Sequence, residues 1–167
     1  MYKCAIIGVG PNRSRGLADA YQLIKRGQLV AVSARRRDRL DEFGDQYGVE
    51  SRYTDYRKMF EYERPDVVHV NTPPDVRLEV MEAAEAHGVP ALIVEKPIAI
   101  QAEDARALEA FSATAKVKIA LNHQLHFHPR RLELQERVKN GEIGDLRIID
   151  ASCSMNVAYQ GTHALQA

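Results

Sequence analysis

Glycines at positions 8, 10 and 16 punctuate the stretch "AIIGVGPNRSRGLADAY" (residues 5–21), which joins an apolar run to a helical pattern. A glycine turn in that context can hold a pyrophosphate. Gly8 permits the tight turn, and Gly10 lets backbone come close to the ligand. The helix tip then offers unpaired N–H groups and a partial positive charge. The usual spacing is G-x-G-x-x-G, so residues 11–15 read as a loop lengthened by two residues, with Gly16 taking the close-packing place. Pro11 and Asn12 belong to that loop, and Arg13 or Arg15 is placed to touch phosphate. The plainer alternative is a turn serving chain reversal only.

A second group of charges follows the next apolar run, in "VSARRRDRL" (32–40). A site for NAD carries Asp or Glu at the end of this strand to hold the ribose 2′-hydroxyl. Here Ala34 stands in that place, followed by Arg35, Arg36 and Arg37. A carboxylate repels a 2′-phosphate, whereas a guanidinium pairs with it through two donors. The pattern therefore predicts NADP(H), with NAD possible. Ser33 and Arg35 are the expected closest contacts, with Arg36 in support. A solvated basic loop is the alternative.

The segment "NHQLHFHP" (122–129) raises the question of a metal, through His123, His126 and His128. Read as a strand, it turns 126 and 128 to one side and 123 to the other. No cysteine or further carboxylate completes a ligand set, so no metal is expected. Tyr53, Tyr56, Phe60 and Tyr62 read as packing residues, because no basic patch is interleaved with them.

These groups need a scaffold, and the sequence supplies one by alternation. Apolar runs at 3–9, 28–34, 66–72, 90–97 and 116–122 read as buried strands. Helical patterns lie between them at 16–27, 38–48, 75–85 and 102–114. Such alternation predicts an α/β fold, a doubly wound parallel sheet of the Rossmann type. Ligands of such sheets bind outside the carboxyl ends of the strands. The segments "GVGPN", "SARRR", "NTPPD" and "EKP" all fall at those ends. Asn71, Thr72, Pro73, Pro74, Glu95, Lys96 and Pro97 thereby join the expected cofactor site. After Asn122 the pattern changes to a helix ending at Asn140-Gly141, then a strand over 146–155. The expected division is a dinucleotide-binding domain over 1–122 and the start of an incomplete α+β domain over 123–167.

Bulk properties limit the alternatives. Lys plus Arg number 23 and Asp plus Glu number 23, so the formal net charge is zero. That balance gives no electrostatic reason to expect a nucleic acid or an anionic membrane as partner. Apolar runs are far too short for a bilayer span, and the N-terminus shows no secretory pattern. Cys4 and Cys153 are too few and too far apart to suggest a disulfide framework. A cytoplasmic protein with reduced thiols is expected.

With "GVG", "NTPPD", "AAEAHGVP", "VEKPIA" and "HFHP…NGEIGDL" in order, the chain resembles the Gfo/Idh/MocA oxidoreductases, relatives of glucose–fructose oxidoreductase and myo-inositol dehydrogenase. The resemblance implies a dinucleotide-binding domain followed by an α/β domain with a large antiparallel sheet. It also implies hydride transfer between a nicotinamide and a sugar, polyol or cyclic polyol. A full member is about twice as long, so the sequence reads as the N-terminal half, of a protein expected to be a homo-oligomer when whole. By resemblance Lys96 lies beside the nicotinamide and the reacting alcohol, and His163 handles the hydroxyl proton. Tyr159 stands where many members carry an acid and Gln166 where many carry Asp, so Tyr159 is a substitute proton carrier or a packing residue. Asn122, His123 and His126 fall where the chain passes the substrate, His126 in place of a common arginine. Two further readings stay open: a dinucleotide-binding sensor or scaffold without turnover, and elimination or glycoside cleavage through transient oxidation.

Overall fold

A computed structural model describes residues 1–11 and 13–150. Residues 1–121 pack as one compact unit, and a second unit begins at Asn122. In the first, strands and helices alternate as β1 (Tyr2–Ile7), α1 (Arg13–Tyr21), β2 (Gly27–Ser33), α2 (Arg37–Tyr47), β3 (Ser51–Tyr53), α3 (Tyr56–Glu63), β4 (Val67–Val70), α4 (Arg77–Ala86), β5 (Ala91–Glu95) and α5 (Ala102–Thr114). Strand β6 (Lys118–Asn122) completes a six-stranded sheet in the order β3-β2-β1-β4-β5-β6. Every registered pair is parallel, for instance Ile6 beside Val32 on one edge and beside His69 on the other. This is the Rossmann-type doubly wound order, and its crossover between β3 and β4 opens a crevice above β1.

Alternation along the strands feeds two cores. Ala5, Ile7, Val68, Val70, Leu92 and Val94 point to the face covered by α3, α4 and α5, where Phe60, Met59, Met81 and Leu108 pack. Ile6 and Val32 point to the other face, against Ala18, Leu40 and Phe43 of α1 and α2. A large apolar side chain buried in this way contributes about 1.5–3 kcal/mol. Both faces of the central strands are covered, which is why these strands read as unbroken apolar runs.

Several expectations are corrected. Helix α1 begins at Arg13, not Gly16, so the preceding loop has the ordinary length and no inserted residues. Gly16 lies exposed within the helix, and a Cβ there would meet open space, so it has no close-packing role. Gly27 opens β2 rather than capping a helix. The helix expected over 75–85 starts as a 3-10 turn, Pro74–Val76, before α4. Strand β3 and helix α3 were not anticipated. Asp55 caps α3 by accepting from Arg57 N at 2.9 Å. In the second unit, residues 124–127 form a 3-10 turn rather than a strand, followed by α6 (Pro129–Lys139). Residues 146–150 adopt no strand; among the described residues none pairs with them. No helix of the described residues is long and apolar enough to cross a membrane.

Candidate functional site

A cleft of about 640 Å³ opens where β1, β2 and β4 end. Its floor is the β1–α1 turn. Gly8 sits at φ +91°, and a Cβ on it would come within 3.0 Å of the Asn71 carbonyl carbon and oxygen. Only glycine fits so close to the neighbouring strand end. Gly8 N donates to Ser33 O at 2.8 Å, tying the turn to the end of β2. Gly10 has open space beside it, which leaves its backbone approachable. The buried Ser14 hydroxyl accepts from Gly10 N at 2.9 Å and donates to Gly10 O at 2.7 Å, fixing the loop onto the first turn of α1. Pro11 is exposed and lines a smaller hollow with Arg15. Asn12 lies outside the described residues.

Neither arginine of this loop points freely at the cleft. Arg13 pairs with Glu95 at 2.9 Å, and Arg15 with Glu42 at 2.5 Å. With α1 beginning at Arg13, that residue occupies the third glycine position of G-x-G-x-x-G. Its side chain reaches across to the end of β5 instead.

The end of β2 carries the positive wall. Ser33 is buried, Arg35, Arg36 and Arg39 line the cleft, and no carboxylate stands at the strand end. Arg36 is held in an ion pair with Asp38, which keeps that carboxyl below its usual range. Arg35 and Arg39 have no ion-pair partner among the described residues. Arg36 lines the cleft beside them although Asp38 already claims its guanidinium.

The opposite wall is the end of β4. Asn71 N donates to Ile7 O at 2.8 Å, which seats the residue against β1. Asn71 Oδ1 and Nδ2 and Thr72 Oγ1 are buried with no hydrogen-bond partner. Unsatisfied buried polar atoms each cost about 1–3 kcal/mol, so such a group at a cleft is shaped for a ligand. Polar atoms of this kind and a glycine cradle, beside two guanidinium groups without an ion-pair partner among the described residues, fit a dinucleotide. Pro73 also lines the cleft, and Pro74 starts the 3-10 turn behind it.

One strand further on, Glu95 and Lys96 are buried at the end of β5, and Pro97 follows a cis peptide bond. Burial lowers the Lys96 ammonium pKa below its ordinary value; the Arg13 charge adds to this and Glu95 opposes it. The sequence reading missed Arg77. The residue is 3% exposed, and its guanidinium donates to the Thr72 and Pro97 carbonyls. An arginine inside an apolar helix pattern gave no sign of this role; only the contacts do.

In the second unit, Asn122 ends β6, and His123 and His126 stack their rings 5.7 Å apart, as a 3-10 spacing of three dictates. The expectation that strand alternation separates histidines therefore does not hold for this segment. Among the described residues no three of His, Cys, Asp and Glu converge as a metal site. Tyr159 and His163 lie outside the described residues.

Comparison with known proteins follows this geometry. D-apiose dehydrogenase of Paraburkholderia graminis is 30% identical over 143 residues, 86% of this chain and 38% of the relative. Mouse trans-1,2-dihydrobenzene-1,2-diol dehydrogenase is 26% identical, over 79% of this chain and 39% of its own. An Agrobacterium radiobacter oxidoreductase in complex with NAD+, L-tartaric acid and magnesium superposes with a TM-score of 0.79 at 28% identity, covering 86% of this chain and 42% of that one. Scyllo-inositol dehydrogenase of Lactobacillus casei, with NAD(H) and scyllo-inositol, gives 0.76 at 25% identity, over 86% and 42%. The chain thus spans about two fifths of the length of these relatives. Residues 2–123 match the family described as an oxidoreductase family with an NAD-binding Rossmann fold, and the chain belongs to these Gfo/Idh/MocA oxidoreductases.

Proposed function

We propose that this chain is the cofactor-binding part of an NADP(H)-dependent oxidoreductase acting on a sugar, polyol or cyclic polyol. One observation carries the reading: Asn71 and Thr72, whose side-chain polar atoms are buried without a partner, line a cleft whose floor is a glycine held where a side chain would clash. The Gly8–Gly10 turn and the α1 tip hold the pyrophosphate. Arg35 and Arg39, with Ser33, hold the 2′-phosphate. When bound, the nicotinamide supplies a hydride acceptor or donor at C4.

The substrate side rests on Lys96. A buried ammonium of lowered pKa can hydrogen-bond the substrate hydroxyl and pass a proton at Nζ more readily than an exposed lysine. His163 and Tyr159 complete the proposed proton path, and Asn122, His123 and His126 the substrate contacts. A whole protein of this kind works as a homo-oligomer in the cytoplasm. A sensor without turnover, or chemistry by transient oxidation, would use the same cleft, so a sugar panel added to the bound cofactor distinguishes them.

The test is a fluorescence titration with direct excitation of the nicotinamide, since the chain has no tryptophan. Each charge-assisted bond to the 2′-phosphate contributes about 1.5–3 kcal/mol before solvent screening, so NADPH should bind about tenfold or more tighter than NADH. The double variant R35A/R39A should erase that difference and leave NADH affinity unchanged. A preference for NADH in the unaltered chain contradicts the proposal.

A further inference from the structure

We infer that Arg77 is a positioning residue for the dinucleotide site, clamping the loop after β4 to the segment after β5. The inference rests on the proposed cofactor reading. Arg77 opens α4, yet its side chain turns inward and is 3% exposed. Nε and Nη2 donate to the Thr72 carbonyl at 3.1 and 2.9 Å, and Nη1 donates to the Pro97 carbonyl. These hydrogen-bond partners are neutral backbone oxygens, and the Glu95 and Asp75 carboxylates act on the guanidinium only through their charge. Burial of the guanidinium outweighs the opposing pull of those carboxylates, so an apolar residue would fill a helix–sheet contact at lower cost.

What the guanidinium achieves is a fixed spacing. Thr72 carries a buried, unpartnered hydroxyl at the cleft, and Pro97 directly follows Lys96. A single planar fork therefore sets where the Thr72 hydroxyl stands relative to the Lys96 segment. A lysine cannot reproduce this, because its ammonium is one point and not a fork. The β2 end of the cleft, with Ser33, Arg35 and Arg39, touches neither carbonyl. Arg77 should matter for the nicotinamide side of a dinucleotide and not for its adenosine side.

Calorimetry on the full chain, held well below its melting temperature, separates the two halves with two probes. NADPH spans the whole cleft, and adenosine 2′,5′-bisphosphate only its adenosine side. R77M should weaken NADPH about tenfold and leave the bisphosphate unchanged, with R77K in between. Equal weakening of both probes, or of neither, assigns Arg77 to the fold alone and overturns the inference. If R77M does not fold, R77K decides on the same criterion; failure of both to fold also overturns it. An unaltered chain that binds neither probe refutes the dinucleotide reading itself and this inference with it. Normal binding by the unaltered chain with an undiminished R77M refutes the inference alone.

Discussion

Gly8 is the residue where sequence and geometry meet most closely. Its φ of +91° and the 3.0 Å approach of the Asn71 backbone both exclude a side chain. Gly8→Ala should cost about 1–3 kcal/mol of stability from the strained backbone, measured by urea unfolding. It should also weaken cofactor binding, because the cradle floor must shift away from Asn71. Full stability and affinity in that variant would contradict the account. Gly8, Gly10 and the Asn71-Thr72 pair were legible because glycine spacing and strand ends mark them. Arg13 was misplaced, since Gly16 drew the register two residues too far along. Arg36 lines the cleft, and its ion pair with Asp38, two residues away, is the part that charge spacing alone did not reveal. Arg77 had no sequence signal at all, because nothing in a helical pattern shows that an arginine folds inward.

At the scale of elements, the end of α1 is locked to the sheet by a small polar cluster away from the cleft. The Tyr21 hydroxyl lies 2.7 Å from His69 Nε2, with the rings edge to face, and Cys4 is buried beside them on β1. Burial lowers the His69 pKa from 6.5 to about 4. An unfolded chain takes up that proton near 6.5, so the native state binds fewer protons between the two values. Its contribution is complete above pH 6.5 and is lost as pH falls toward 4, by up to about 3 kcal/mol. Urea unfolding at pH 7 and pH 4.5 should show a smaller drop for His69→Gln than for the unaltered chain. Equal drops would remove His69 from the explanation. Long periodic elements such as α5 and the buried strands were readable from period alone. The short β3 was not, because three residues cannot establish an alternation. The 3-10 turn at 124–127 was mistaken for a strand for the same reason.

For the whole molecule, sheet order does what no single residue does. Strands β1 and β4 are adjacent while the chain between them runs out through β2 and β3, so a crevice forms above β1. The glycine turn, the arginines of the β2 end and the polar pair of the β4 end meet there from positions far apart in sequence. The alternation of apolar runs made the parallel sheet legible though not the β3 edge, and three of the four strand-end segments, those after β1, β2 and β4, line the cleft. The fold of the second unit was less legible, because one helix and short irregular segments carry little period. A crystal structure of the chain with NADPH tests the central claim most directly. The pyrophosphate should lie on the Gly8–Gly10 turn, with the 2′-phosphate within hydrogen-bond reach of Arg35 and Arg39 and with Asn71 or Thr72 on the ligand. A dinucleotide bound elsewhere, or a 2′-phosphate turned away from both arginines, would contradict it.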